Sequence, residues 1–553
     1  MLPENYYLSN FDALTNFVVS TYREILTADE LQWAETVRKL PEPARRLYIR
    51  LLSRQGNIFR LGKLKYPEIG NLHDASSSLA EAGLASLDAP DELEDLLPLV
   101  TRAELKHLPE LSDVKGLSRA SVDDRLLELA SPTVLASLQA LDNWVQILQS
   151  DVFELFVMCY FGNRYQDLTE FVLRDLGHQT FESYSIDENN RAFQTREQID
   201  AHWQYFQCQA ELTLIDVTST DDILALETQL PDIHADQKLA NDAHLVRRVG
   251  RFRNQLARQL ERLQQYDAAL TLYRHSSTPP SRERQVRILS NTEKFVEALK
   301  LSTTMLQSPL DDSESRFAER QVAVLKKKLG QRFASPKPFR PITTKLTLQI
   351  SEENELDRVE SRAMQYYQQS GRCYYAENAL VRGVLGLFIW DIMFMPVDGA
   401  FHHPFQSCPS DFMQPEFLEK RKSMMTSRLQ ELDDPIRFAA RVWQHWEEKQ
   451  GVSNVLVHWS RLSESLLSDA LIQIPVKHWR ALFDRLLKDI RNNGKGLPDL
   501  VLFPAKGGYE FIEIKGPGDA LQQHQRRWMQ YFTEHGIPHR VVNVRYAQHE
   551  RNA

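Results

Sequence analysis

The stretch from Gly496 to Pro517 decides the fold of the C-terminal part of this chain. It reads Gly-Leu-Pro-Asp499-Leu-Val-Leu-Phe, then a short loop containing Pro and Gly, then Tyr-Glu-Phe-Ile-Glu513-Ile-Lys515-Gly-Pro. Two apolar runs on either side of a turn signal predict a β-hairpin. Asp499 opens the first strand. Glu513 and Lys515 lie two residues apart on the second strand, so their side chains point to the same face.

Two carboxylates and a lysine at one point of a sheet suit metal-dependent hydrolysis of phosphodiesters. Paired carboxylates favour a hard cation such as Mg²⁺ or Mn²⁺, and an adjacent lysine suits an attacking water or a phosphate oxygen. Acid-x-Lys pairs also occur on strands as solvated cross-strand charges. Strands that read as buried rarely carry Glu and Lys on one face without a function, so we interpret this segment as an active site.

The segment resembles the core motif of the PD-(D/E)xK nuclease superfamily, in its virus-type replication-repair nuclease (VRR-NUC) branch. The matching residues are Pro498-Asp499 and Glu513-Ile-Lys515-Gly-Pro. Other segments resemble the Fanconi-associated nuclease family, and they include Tyr6-Tyr-Leu-Ser-Asn-Phe, Tyr160-Phe-Gly-Asn-Arg-Tyr, Tyr374-Tyr-Ala-Glu377-Asn-Ala-Leu and Gly386-Leu-Phe-Ile-Trp-Asp. Because the likeness spans nearly the whole chain, we expect a bacterial-type member without the ubiquitin-binding zinc finger of eukaryotic relatives.

The resemblance implies a set of metal ligands and catalytic residues. Glu377, Asp499 and Glu513 would supply carboxylate oxygens to one or two divalent cations, and the backbone carbonyl of Ile514 would complete the shell. Lys515 would orient the attacking water or stabilise the scissile phosphate, in an electrostatic role. If Glu377 is a ligand, its carboxylate should lie within about 6 Å of the other two acids.

Several nearby residues are candidates for supporting roles. Gln525 falls on the helix after the hairpin, where relatives place a glutamine that faces the site, and it is counted with the catalytic residues. Arg491 precedes the Pro-Asp pair and is a candidate phosphate contact, because guanidinium groups bind phosphate bidentately. His524 stands where eukaryotic relatives often carry a lysine. His402 and the adjacent His403 read as loop residues, since adjacent histidines rarely share one metal.

Composition excludes some classes of protein. The 553 residues are 42% hydrophobic and 25% charged, as in ordinary globular proteins. No apolar run reaches membrane-spanning length, and no secretory signal is present. The four cysteines form no CxxC pair, which indicates a reducing compartment and argues against a zinc finger. We expect a bacterial cytoplasmic protein, or a nuclear one if the source is eukaryotic.

Net charge of −9 does not exclude DNA binding, which depends on local basic surface. Residues 1–88 read as helices followed by a β-rich element, which predicts a winged-helix-like module; such modules bind duplex DNA or mediate protein contacts, and both readings stay open. A basic cluster crosses the module, and its predicted DNA contacts are Arg45, Arg46, Arg50, Arg54, Arg60, Lys63 and Lys65.

The rest of the chain divides into three predicted domains. Residues 89–133 read as helix-turn-helix and resemble a small SAP-type DNA-binding motif, in which the only basic residues just before the second helix are Lys115 and Arg119. Residues 134–342 are helical, and the similarity of residues 265–272 to residues 294–301 indicates degenerate tetratricopeptide-type repeats that serve as a scaffold. Residues 350–553 form the predicted VRR-NUC domain, with strands at 497–503, 509–514 and 540–544 and a helix at 520–535. The order β-β-α-β is that of a restriction-endonuclease-like α/β core, behind a mostly α-helical N-terminal two-thirds.

The resemblance implies a metal-dependent DNA phosphodiesterase of repair. Members of the family cut DNA near a 5′ end or 5′ flap and act in interstrand crosslink repair, so we expect a monomer acting on branched, 5′-phosphorylated DNA. Two alternatives remain: a four-way junction resolvase, as small stand-alone VRR-NUC proteins are, and a DNA-binding scaffold with a vestigial nuclease core. The long N-terminal region favours one cut per monomer, and the presence of all three acids and the lysine favours activity.

Overall fold

The computed structural model describes residues 6–108, 118–169, 171, 179–331, 339–348 and 358–546. The chain forms two compact units: residues 1–178 with 193–196, and residues 179–192 with 197–553. As the sequence predicts, the N-terminal two-thirds is mostly helical and the C-terminal part carries a mixed sheet.

The first unit is a helical module with a small antiparallel sheet. Its strands are β1 (Ile58–Arg60), β2 (Ala85–Ser86) and β3 (Trp144–Ile147), in the order β1-β3-β2. The central strand β3 comes from the segment predicted as scaffold, so this unit extends well past residue 88. Its helices are Tyr6–Tyr22, Ala28–Lys39, Glu42–Leu52, Leu72–Glu81, Leu93–Leu96, Arg102–Leu105, Arg119–Leu129, Pro132–Gln139 and Ser150–Phe161.

The SAP-like segment has its own small core. Thr101 begins the Arg102–Leu105 helix with a capping box closed by Glu104. Leu105, Leu126 and neighbouring apolar side chains form a buried cluster. Arg119 donates hydrogen bonds to the carbonyls of Leu97 and Val100, so it holds this segment together, and Lys115 lies outside the described residues.

The predicted helical repeat is present in the second unit. The helices here are Arg196–Glu211, Thr220–Thr228, Gln237–Ala240, Ala243–Arg262, Tyr266–Arg274, Ser281–Asn291, Phe295–Gln307 and Asp312–Lys328. The two aligned segments begin with the same turn: Gln264 and Glu293 have φ of 61° and 59°. The next amides, of Gln265 and Lys294, donate back to the preceding helix at 2.9 and 2.8 Å. Each turn therefore reverses the chain in the same way.

The C-terminal sheet has five strands in the order β4-β8-β7-β6-β5. They are β4 (Thr343–Leu348), β5 (Gly371–Tyr375), β6 (Leu500–Pro504), β7 (Glu510–Lys515) and β8 (His539–Tyr546). Strands β5, β6 and β7 pair antiparallel, whereas β8 pairs parallel to β7 and β4. The predicted β-β-α-β core is thus confirmed with the helix Gln523–His535, and the sequence prediction missed β4 and β5.

Helices pack around this sheet. The first nuclease helix (Val359–Gln368) packs against β5, β6 and β7. The partly buried Trp443 and Trp446 pack against the buried core of this unit. No helix in the described ranges is long and apolar enough to cross a membrane. The remaining helices are Leu380–Phe388, Trp390–Met393, Glu416–Lys420, Lys422–Gln430, Pro435–Glu448, Glu464–Gln473, Val476–Lys488 and Ile490–Asn493.

Candidate active site

The hairpin β6-β7 brings Asp499, Glu513 and Lys515 together at one end of the sheet. Leu500 pairs with Ile512, so the next residues along the two strands, Asp499 and Glu513, lie opposite each other. The amide of Ile514 donates to Asp499 Oδ2 at 2.8 Å. All three ionisable side chains are buried, with 8%, 0% and 9% exposure for Asp499, Glu513 and Lys515.

Glu513 is held by two donors on one oxygen and by none on the other. Lys515 Nζ lies 2.8 Å from Glu513 Oε1, and Gln525 Nε2 donates to the same atom at 2.6 Å. Glu513 Oε2 is buried, and no hydrogen-bond partner reaches it from the described residues. A buried carboxylate oxygen without a partner is costly, so this atom is suited to a ligand that the protein does not itself supply.

Burial disfavours the ionised forms of Asp499 and Glu513. Burial raises the pKa of Asp499 to about 6, and the charges of Glu360 and Glu377 add to the rise while the Ile514 amide and Lys515 oppose it. Burial also raises the pKa of Glu513 to about 8, with the Asp499 charge adding to it and Lys515 opposing it. Two buried acids side by side resist ionisation. A bound divalent cation would offset this cost, because its positive charge stabilises both carboxylates.

The donor set fits a hard cation. In a strand the N–H and C=O of one residue point to the same side. The Ile514 amide reaches Asp499, so the Ile514 carbonyl points to the same side of β7 as Asp499. Two carboxylates and a backbone carbonyl are oxygen ligands of the kind that Mg²⁺ and Mn²⁺ take.

Glu377 has hydrogen-bond partners of its own. Its carboxylate accepts hydrogen bonds from the Tyr375 hydroxyl and, at 3.4 Å, from Asn378 Nδ2. Within the described part of the chain, no three His, Cys, Asp or Glu side chains are gathered closely enough to hold a metal ion together. Glu377 still acts electrostatically on Asp499 and Glu513, and its role as a ligand stays a prediction.

The helix Gln523–His535 is fitted closely to the Gly496 turn. Gly496 has a φ of 86°, and a Cβ on it would lie 2.4 Å from His524 Cδ2. Only glycine fits there without strain, which explains its place before Leu-Pro-Asp. Gln525 Oε1 also accepts a hydrogen bond from the amide of Gln522 at 2.9 Å. Both polar atoms of its side-chain amide are therefore held, with Nε2 beside Glu513 as predicted.

Arg491 is exposed on a short helix just before this turn, and its phosphate contact stays a prediction.

The N-terminal basic cluster is largely neutralised within its own unit. Arg60 is 6% exposed and pairs with Glu104 at 2.9 Å and Asp142 at 3.2 Å, so the structure corrects its assignment as a DNA contact. The partly exposed Arg45, Arg46 and Arg50 pair with Asp12, Glu42 and Glu68. The exposed cations of the cluster are Arg54, Lys63 and Lys65, with Lys63 near Glu104 at 3.3 Å. Apart from Arg60, these contacts with DNA stay predictions.

Comparison with known proteins agrees with the site. A family model described as "VRR-NUC domain" matches residues 435–546, and one described as "FAN1, HTH domain" matches residues 5–86. The Fanconi-associated nuclease 1 homolog of Pseudomonas aeruginosa is 34% identical over 99% of this chain and 97% of its own. This chain belongs to the Fanconi-associated nuclease family. It is therefore a DNA nuclease of a family that depends on divalent metal ions.

Other members of the Fanconi-associated nuclease family agree in sequence or in structure. Human Fanconi-associated nuclease 1 is 24% identical over 98% of this chain, which spans 62% of the human protein. Crystal structures of paFAN1 bound to 2-nucleotide and 1-nucleotide 5′ flap DNA with a gap superpose with TM-scores of 0.83 and 0.82. Their sequence identities are 32% and 31%, over 100% and 98% of this chain and 100% and 99% of theirs.

Sequence reasoning missed three residues of this Fanconi-associated nuclease site. Tyr375 and Asn378 contact Glu377, and the charge of Glu360 acts on Asp499. Glu360 lies in the first turn of the first nuclease helix. This turn is close to the end of β7, since Val359 Cγ1 lies 3.6 Å from the position that a Cβ on Gly516 would occupy. The signal for Tyr375 and Asn378 was present, since both flank Glu377 in the family-like segment.

The two adjacent histidines lie in a loop, as predicted. His402 and His403 are 9% and 5% exposed, and burial lowers the pKa of both, that of His403 to about 4. They are therefore neutral at physiological pH and belong to the packed interior.

Proposed function

We propose that this chain is a structure-specific nuclease that hydrolyses DNA near 5′ ends and 5′ flaps during repair, including repair of interstrand crosslinks. One observation carries the proposal: the buried Asp499, Glu513 and Lys515 lie in a chain that matches paFAN1 over its whole length, and paFAN1 was crystallised with 5′ flap DNA. A match restricted to the nuclease domain would support the chemistry alone.

The proposed cofactor is Mg²⁺ or Mn²⁺, held by Asp499, Glu513 and the carbonyl of Ile514, with Glu377 as a further ligand. The unpartnered Glu513 Oε2 and the raised pKa values of both buried acids support this assignment. A bound divalent cation supplies a water of lowered pKa and neutralises charge that develops on the phosphoryl oxygens.

The chain's own residues position the reaction. Lys515 lies beside Glu513, which supports a role for its ammonium group at a phosphate oxygen or the attacking water. Its role is electrostatic, because a buried ammonium stabilises negative charge strongly in a site of low dielectric. Gln525 keeps the Glu513 carboxylate in one orientation, and the Ile514 amide does the same for Asp499.

The finer features of the proposal concern the partner. We propose that the chain acts as a monomer on 5′-phosphorylated branched DNA, with Arg491 as a phosphate contact and the exposed Arg54, Lys63 and Lys65 on the duplex. The role of Arg491 is supported by its exposure and by the absence of an ion-pair partner for it in the described part of the chain. A cytoplasmic location in a bacterium completes the proposal.

A cleavage assay on labelled 5′-flap, 3′-flap, splayed and four-way DNAs tests the function. Each substrate is offered with and without a 5′ phosphate, in Mg²⁺, Mn²⁺ or EDTA. We expect fastest cleavage of the phosphorylated 5′ flap and none in EDTA. Fastest cleavage of the four-way DNA would instead support the resolvase alternative, and binding without cleavage of any substrate would support the vestigial scaffold.

A further inference from the structure

We propose that Tyr375 and Asn378 are positioning residues that fix the carboxylate of Glu377 beside the start of strand β6. The inference deepens the proposed function and rests on it, because Glu377 matters there as a ligand of the catalytic cation. It concerns two residues whose side chains make no hydrogen bond to Asp499 or Glu513 among the described residues.

The backbone around Glu377 is joined to the segment that carries Asp499. Strand β5 ends at Tyr375, which pairs with Leu500, and the next amide, of Ala376, donates to the carbonyl of Asp499 at 2.8 Å. Asn378 then adopts a φ of 51°. This left-handed conformation is uncommon for residues other than glycine, although asparagine tolerates it best. Glu377 therefore lies in a sharp turn between a ladder contact and a left-handed residue.

The side chain of Asn378 bridges this turn and the entry to β6. Its Oδ1 accepts the amide of Leu497 at 3.3 Å, and its Nδ2 donates to Glu377 Oε1 at 3.4 Å. A glycine would adopt the same backbone conformation without strain but would make neither contact. Asparagine at this position thus adds a link between the carboxylate and the Gly496–Asp499 segment.

Tyr375 holds the other carboxylate oxygen. Its hydroxyl donates to Glu377 Oε2, and the guanidinium of Arg461 lies 5.8 Å from the centre of its ring. Each oxygen of Glu377 therefore has one protein donor and, with two lone-pair sites, keeps one site for a further partner. Donors of this kind behind a carboxylate orient ligands in metal sites, and their loss weakens metal binding.

Two variants remove these contacts separately. Tyr375→Phe removes only the hydroxyl, and Asn378→Gly removes both side-chain contacts while keeping the left-handed backbone. We expect each to weaken Mn²⁺ binding to the DNA-free chain by about tenfold, measured by titration calorimetry. The affinity for 5′-flap DNA in EDTA and the melting temperature in EDTA should stay close to wild type. Tyr366→Phe is the matched control, because this tyrosine is 43% exposed and its hydroxyl bonds to no described residue.

A double-variant cycle with Glu377→Gln distinguishes positioning from a general structural effect. If both residues act through Glu377, adding Tyr375→Phe or Asn378→Gly to Glu377→Gln should weaken Mn²⁺ binding no further. Wild-type Mn²⁺ affinity in both single variants, or a full additional loss in the Glu377→Gln background, would overturn the proposal. A wild-type chain that binds Mn²⁺ but cuts no DNA would instead remove the proposed function, while the titrations still decide the roles of Tyr375 and Asn378.

Discussion

Replacing Asp499 by asparagine should stabilise the metal-free protein while abolishing cleavage. The carboxyl of Asp499 is buried and its pKa rises from an ordinary 3.8 to about 6, so keeping it ionised at pH 8 opposes folding by on the order of 3 kcal/mol. Asparagine keeps an acceptor for the Ile514 amide and removes this charge. The rise to about 6 already includes the opposing attraction to Lys515, so we expect a net gain on the order of 3 kcal/mol, or about 6–12 °C in melting temperature.

The gain should depend on pH in a defined direction. A carboxyl whose pKa is raised by folding binds its proton more tightly in the folded state, so the wild type loses stability as pH rises from 3.8 through about 6. Asp499→Asn removes that loss. Its advantage should be full at pH 8, about half as large at pH 5, and absent below pH 3.8, where the acid is protonated in both states.

The assay is thermal melting in EDTA at pH 8 and pH 5, followed by melting with added Mg²⁺ at pH 8. Mg²⁺ should raise the melting temperature of the wild type and leave that of Asp499→Asn nearly unchanged, because ligands stabilise only the state that binds them. Glu510→Gln is the control, since Glu510 lies on the neighbouring strand β7 in a part-exposed pair with Arg540 at 2.8 Å. An Asp499→Asn variant that melts at or below the wild type in EDTA at pH 8, or whose advantage is equal at both pH values, would refute the reasoning.

Two further predictions concern catalysis and the N-terminal unit. Lys515→Ala should abolish cleavage while changing DNA affinity by no more than about threefold, measured by anisotropy in EDTA, because most affinity comes from the wider phosphate footprint; a large loss of binding would assign Lys515 to substrate affinity instead. Arg60→Ala should destabilise the first unit by about 3 kcal/mol in melting experiments, because it leaves Glu104 and Asp142 without their buried partner. Lys65→Ala should leave the stability of the first unit unchanged. Equal melting temperatures of the two variants would show that the ion pairs of Arg60 do not stabilise this unit.

The catalytic hairpin could be predicted from sequence because its signals are local. The alternation of β7 puts Glu513 and Lys515 on one face, and the turn signal between two apolar runs implies antiparallel pairing. Opposition of Asp499 and Glu513 follows from that pairing. Gly496-Leu-Pro498 is also a local turn signal. In the structure, Gly496 packs against His524, where no larger side chain would fit.

The features that the sequence did not reveal depend on distant partners. Strand β3 pairs with β1 and β2, which lie more than fifty residues earlier in the chain. The sequence Trp144–Ile147 does not indicate which strands it pairs with. Arg60 looks like a surface cation until Glu104 and Asp142 are folded against it. In the same way, the β5 pairing that joins the Glu377 turn to Asp499 spans more than a hundred residues, so local sequence patterns could not reveal that this turn lies beside Asp499.

The most direct test of the central claim is single-turnover cleavage of a phosphorylated 5′-flap DNA by wild type and by Asp499→Asn, in Mn²⁺, with DNA binding measured in parallel in EDTA. We expect rapid cleavage by the wild type, slower cleavage of the matched 3′ flap, and a loss of at least about a thousandfold in the variant with nearly unchanged DNA affinity. Cleavage by Asp499→Asn at the wild-type rate would show that the buried Asp499, Glu513 and Lys515 are not the active site.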